Sequence, residues 1–234
     1  MYPPLTYSPL TNFCRLNCLT LSRLYTGLTV TLIVLFTGTQ LFPAVAKLPP
    51  PANISEKLIR LGKLDQAGRM AYMKLDLSTL PEADRASVQH QIFAEIGRHD
   101  LRYQNELKTL MPSEGWFRLS VYGKEAARAA FLIVQHAVND QELMRNTLVR
   151  LEKLVAEGEA EGQAYAMLYD RTALEFDHRP QRYGTQVKCI SGQWQPNELE
   201  DPANVNERRK SIGMTQTIEQ YLQMFDDSQC AGTV

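Results

Sequence analysis

The chain has 234 residues, 44% apolar and 22% charged, a balance that fits one globular domain and excludes fibrous or low-complexity classes. Its formal net charge of −1 supplies no basic field, so nucleic acid is not an expected partner. The charge is unevenly placed: residues 1–46 contain Arg15 and Arg23 but no Asp, Glu or Lys.

That acid-free segment reads as an export signal. Arg15 and Arg23 precede an apolar run from Gly27 to Phe42, and Ala44-Val45-Ala46 follows, so cleavage is expected after Ala46. The rival reading is an uncleaved anchor, but Thr37, Gly38 and Gln40 weaken the second half of a run already short for a bilayer. Either way the remainder is expected outside the cytoplasm, periplasmic or secreted, with a membrane contact only through an uncleaved signal. Cys14 and Cys18 leave with the signal, while Cys189 and Cys230 remain. In that compartment the two can form a disulfide or stand as separate thiols.

Residues 47–58 read as a Pro-rich linker and helix start, 59–228 as one helical domain, and 229–234 as a tail. Asn53-x-x-Glu56 caps a first helix reaching about Tyr72. Thr79-Leu80-Pro81-Glu82 has the form of a capping box with Pro in the first turn. Behind it Val88, Ile92, Ile96, Tyr103, Leu107 and Leu110 recur at helical spacing, with His99 on the same stripe and Gly97 as a point of interruption. Lys124 to Ala137 is apolar nearly all round and therefore predicts a central helix. Asn139 or Asp140 opens the next, with Met144, Leu148, Leu151 and Val155 inward, and another runs from about Ala164 to Phe176.

Asp177 to Gly184 is a polar loop. Thr185–Ile190 and Gln193–Gln195 suggest a small hairpin across Ser191-Gly192. A short helix ends at Gly213, and Thr217-x-x-Gln220 opens the last one. Arg208-Arg209-Lys210 reads as a solvated helix face. The expected fold class is mainly α, a compact helical bundle with a small β-hairpin near residues 185–195.

Several polar residues interrupt these apolar faces. They are Asp65, Gln66 and Arg69 on the first helix, Gln135 and His136 at the end of the central one, and Asp170 and Arg171 within YAMLYDRTAL. The loop adds Arg179, Gln181, Tyr183, Thr185 and Gln186. Polar groups turned toward a core need partners, so these side chains are expected to satisfy one another. In a catalytic reading His136 is a general acid or base, since imidazole titrates near neutrality, and Asp170 orients it. Arg171 or Arg179 then holds an anionic group, with Asp65, Gln66, Arg69, Gln135, Gln181, Tyr183 and Gln186 positioning substrate. In a structural reading the same residues tie loops to helices and nothing reacts. His90 and His178 fall on solvent-facing positions.

No cofactor or metal is expected. P-loop, G-x-S-x-G, H-E-x-x-H and C-x-x-C patterns are missing beyond residue 46, and His136 with Asp140 at i, i+4 makes too few ligands. Gly115-Trp116, Gly123, LIVQHA at 132–137, YAMLYDR at 165–171, RPQRYGTQ at 179–186 and VNERRKSIG at 205–213 together resemble an uncharacterised bacterial family, domain of unknown function 6624. Asp65-Gln66-x-x-Arg69 is similar to its opening motif, and the likeness covers roughly residues 60–225. Phe117 and Val138 depart from the pattern, where Pro and an acidic residue are common. The resemblance implies no reaction, but it implies that the polar cluster is a site shared by the family.

Two functions follow as expectations. One is an acid–base hydrolase or transferase acting on a small polar or peptide-like substrate. The other is a non-catalytic binding or interaction module for an envelope ligand.

Overall fold

The computed structural model describes residues 52–230. The expected export signal over 1–46 and the residues beyond 230 lie outside the described part. The described chain is a helical bundle with one small antiparallel hairpin.

Helix α1 spans Ile54–Tyr72, and the Asn53 side chain accepts from the Glu56 N–H as the spacing predicts. Helix α2, Glu82–Leu110, starts differently from expectation. Asp76, not Thr79, is the capping side chain here: it accepts from the Ser78 N–H and opens a 3-10 turn at Leu77–Thr79. Thr79 turns its hydroxyl back to the Asp76 carbonyl, and Pro81 stands at the α2 N-cap with no side-chain bond. Gly97 interrupts nothing, because α2 runs through it.

A short helix α3, Leu119–Tyr122, leads through Gly123 into α4, Lys124–Gln135. Helix α4 is the central element: Ala126, Ala130, Ile133 and Val134 are buried, and it packs against α1, α2, α5 and α6. Helix α5 covers Gln141–Ala156, capped by Asp140, and α6 covers Gly162–Glu175. Strands β1, Val187–Ile190, and β2, Gln193–Pro196, pair with Cys189 opposite Trp194. Then come α7, Val205–Ser211, α8, Ile218–Leu222, and a last turn α9, Asp227–Cys230. Gly213 has φ of 79°, a conformation that ends α7 and favours glycine, and Thr217 with Gln220 forms the expected capping box of α8.

Two contacts set the frame of the site. Helices α1 and α4 cross so closely at Gly62 that an added Cβ would stand 2.6 Å from the Ala129 Cβ. Cys189 and Cys230 form a disulfide that joins β1 to α9, which resolves the choice left open by the sequence.

The run at 208–210 corrects an expectation. Arg209 is 1% exposed, not solvated: its guanidinium donates to the Gln216 and Tyr183 carbonyls and lies over the Tyr221 ring. The Tyr183 carbonyl in the loop at 181–186 needs a donor, and α7 passes close enough for Arg209 to supply it.

Candidate functional site

The inward face of α1 carries Leu58, Leu61, Gly62 and then Asp65, each about one turn or less from the next. The close α1–α4 crossing brings Asp65 to the last turn of α4. There His136 is the C-cap, with φ of −95° and ψ of 0°. Its Nδ1 lies 2.8 Å from Asp65 Oδ2, and Gln66 Nε2 donates to the same oxygen at 2.7 Å.

Arg69, one turn further along α1, reaches across to α2. Its fork donates to Asp100 Oδ1 at 2.9 Å and Oδ2 at 2.7 Å, while Nη1 also donates to the Asp65 carbonyl. A bidentate pair of this kind holds a guanidinium plane in place. Asp100 was not foreseen. The α2 stripe predicted His99 inward, but His99 is exposed and Asp100, the next residue, is buried. The signal was an acid one position off an apolar stripe, facing an Arg on the preceding helix.

The charges near His136 decide its form. Burial pulls the imidazole below its usual value of 6.5, the bond and charge of Asp65 pull it up, and Arg69 and Arg171 add to the lowering. The net direction is down, so His136 is neutral at pH 7. Burial pushes the Asp65 carboxyl up, but the His136 bond, Arg69 and Gln66 more than offset this and hold it below the carboxylate range. An ionised Asp65 accepts, so Nδ1 must be the donor, and the Nε2 lone pair is left free. Nε2 makes no hydrogen bond to any described residue, and the side chain is 16% exposed.

Asp170 does not join this pair. It is fully buried and accepts from the Arg182, Tyr183 and Thr185 N–H groups and from the Thr185 hydroxyl. Burial pushes its carboxyl up, yet each of these contacts is a donor, so the loop is built around the anion. The expected orienting role therefore passes from Asp170 to Asp65. Asp170 instead fixes the turn that includes Gly184, whose φ of 66° and contact with Ile218 exclude a side chain.

The remaining candidates divide between the two centres. Arg171 Nε and Nη2 donate to Gln186 Oε1, and Nη1 donates to the Gln135 carbonyl. Gln181 bonds the Gln186 backbone from both ends of its amide and also donates to Asn197. Arg179 lies over the Tyr169 ring, donates to the Tyr169 hydroxyl and reaches Asp177 at the surface. Tyr183 is buried, edge-on to Tyr165 and Tyr169. Thus Asp65, Gln66, Arg69, Gln135, His136 and Arg171 gather around the end of α4, whereas Asp170, Gln181, Tyr183 and Gln186 brace the loop. Gln135 is unusual: it is 2% exposed, yet neither amide atom has a hydrogen-bond partner.

Two open clefts lie elsewhere. One of about 750 Å³ is bordered by Lys108, Asp140 and Arg150, the other of about 810 Å³ by Lys124, Tyr165, Tyr183 and Gln216. Neither is lined by His136. Among the described residues there is no cluster of three metal-ligating side chains and no helix long and apolar enough to cross a membrane.

A family model described as a family of unknown function (DUF6624) matches residues 55–232. No curated protein and no solved structure matches the chain.

Proposed function

Because the chain belongs to the family of unknown function DUF6624, which brings no reaction with it, we propose one from the geometry: His136 acts as a general base and acid, oriented by Asp65. The observation that carries this reading is the 2.8 Å contact from Nδ1 to a buried carboxylate with Nε2 left unpartnered. A neutral imidazole held this way has its lone pair on the nitrogen away from Asp65 and its proton on the orienting side.

The supported chemistry is hydrolysis or transfer on a small polar or peptide-like substrate. Nε2 takes the proton from an attacking water or hydroxyl as the new bond to the carbonyl carbon forms. It returns that proton to the leaving nitrogen or oxygen as the old bond breaks, and Asp65 stabilises the imidazolium between the two steps. Arg69, clamped by Asp100, keeps the Asp65 turn in place. The acid-free N-terminal segment and the disulfide favour a site of action outside the cytoplasm.

A second reading, a non-catalytic binding module of the cell envelope, is favoured by the packing of the Asp170 loop and by the position of both clefts away from His136. The deciding experiment is turnover of a panel of small esters and amides by the chain and by His136→Ala, with folding checked by circular dichroism. Loss of an acid–base group is expected to reduce kcat by roughly 10²–10⁴-fold. Turnover that persists in a folded His136→Ala variant removes His136 from the chemistry.

A further inference from the structure

Arg171 is 7% exposed, and among the described residues its hydrogen-bond partners include no carboxylate. Its partners are neutral: the Gln186 amide oxygen and the Gln135 carbonyl. Arg69, by contrast, is matched by both oxygens of Asp100. The Gln135 carbonyl belongs to the C-terminal end of α4 and offsets part of the Arg171 charge, since a helix C-terminus carries about half a negative charge. Glu175, one turn along α6, adds a favourable charge only at longer range, so no carboxylate touches the guanidinium. The side chain of Gln135, the residue whose carbonyl Arg171 bonds, keeps a donor and an acceptor unpartnered in the interior. A buried charge and a buried amide both left short of partners at one helix end are costly unless something completes them.

We propose that the ligand of this site is a small molecule bearing an oxyanion, a carboxylate or a phosphate, which seats on Arg171 beside the Gln135 amide. The proposal rests on the acid–base reading for where the reacting group lies, next to His136. It names what the reading leaves open, the charge class of the substrate. Arg171 suits the task because a guanidinium offers paired N–H groups to two oxygens at once, and two of its five N–H groups remain after the three bonds described.

The test titrates the chain with acetate, inorganic phosphate and neutral acetamide at constant ionic strength. It follows the thermal midpoint and the His136 imidazole resonances by NMR. An anion, but not acetamide, is expected to raise the thermal midpoint and to move the His136 titration upward, since a negative charge nearby favours imidazolium. A response to acetate alone assigns a carboxylate ligand, and to phosphate alone a phosphate ligand. Arg171→Lys keeps the charge but loses the fork, so binding should weaken about tenfold, the worth of one charge-assisted hydrogen bond. Gln135→Leu should raise the thermal midpoint of the empty protein while weakening anion binding, a combination that a purely structural Gln135 does not give. Equal responses to the anions and acetamide, or anion binding unchanged in both variants, overturn the proposal. His136-dependent turnover of neutral substrates without any anion effect overturns it and leaves the acid–base reading standing. Anion binding that needs Arg171, without turnover of any substrate, supports it and sinks that reading.

Discussion

His136 sits between one carboxylate and two guanidinium groups, and its protonation is settled by burial working against the one it touches. Asp65 is bonded to it and Arg69 and Arg171 act at longer range, yet burial tips the balance toward the neutral ring. The folded value lies below 6.5, so as pH falls the unfolded chain takes up this proton first. The contribution of His136 to stability is therefore full above about pH 6.5 and declines as pH drops from there toward the folded value. Asp65, also lowered, adds a second loss only below its ordinary value of 3.8. Thermal midpoints across pH should fall below about 6.5 in the native chain and stay flatter in His136→Gln down to about pH 5. A native chain that gains stability as pH falls through that window contradicts the neutral, buried imidazole. Which carboxylate meets His136 was not legible from residue types, because Asp65 and Asp170 are equally plausible partners until the helices are placed.

At the scale of elements, caps and stripes were readable because they depend on neighbours a turn apart. Asn53, Asp140 and Thr217 cap their helices with side chains that reach three residues ahead. The exception at Thr79 shows the limit: Asp76 takes the Ser78 N–H and starts a tighter turn first, and the Thr79 hydroxyl goes to the Asp76 carbonyl. Arg209 escaped because a charged triplet on a short helix looks solvated until the carbonyls of a distant loop are brought to it. The α1–α4 crossing carries the element-scale prediction. Gly62→Ala would force a methyl into 2.6 Å of the Ala129 Cβ, between two helix backbones with no flexible chain end to yield. It should destabilise the fold by about 1–3 kcal/mol as overpacking does. It should also lengthen the Asp65–His136 contact, read as a changed His136 titration by NMR. A stability gain, as expected for Ala on an open helix face, would show that the crossing is loose.

For the whole molecule, the C-terminal elements are tied to α6 by the loop core around Asp170 and to one another by Arg209 and the disulfide. The Cys189–Cys230 bond spans 41 residues and links the hairpin to the last helical turn. On the chain-entropy account a loop of that length is worth about 4 kcal/mol, so reduction should lower the thermal midpoint by on the order of 10 °C. The midpoint with and without reductant, and in Cys189→Ser, measures this directly. An unchanged midpoint would mean that Arg209 and the Asp170 loop alone hold the C-terminal part.

The family motif, the helix order and the roster of polar residues around the end of α4 were determined by the sequence alone, since each depends on local spacing or on residue type. Only the tertiary structure decided the pairings: Asp65 with His136, Arg69 with Asp100, Asp170 with its loop, and Arg171 with neutral hydrogen-bond partners. Asp65 and His136 lie on different helices, and what brings them within 3 Å is how closely those two helices can approach. That distance is set by side chains such as Gly62 and Ala129, which carry no polar signal of their own.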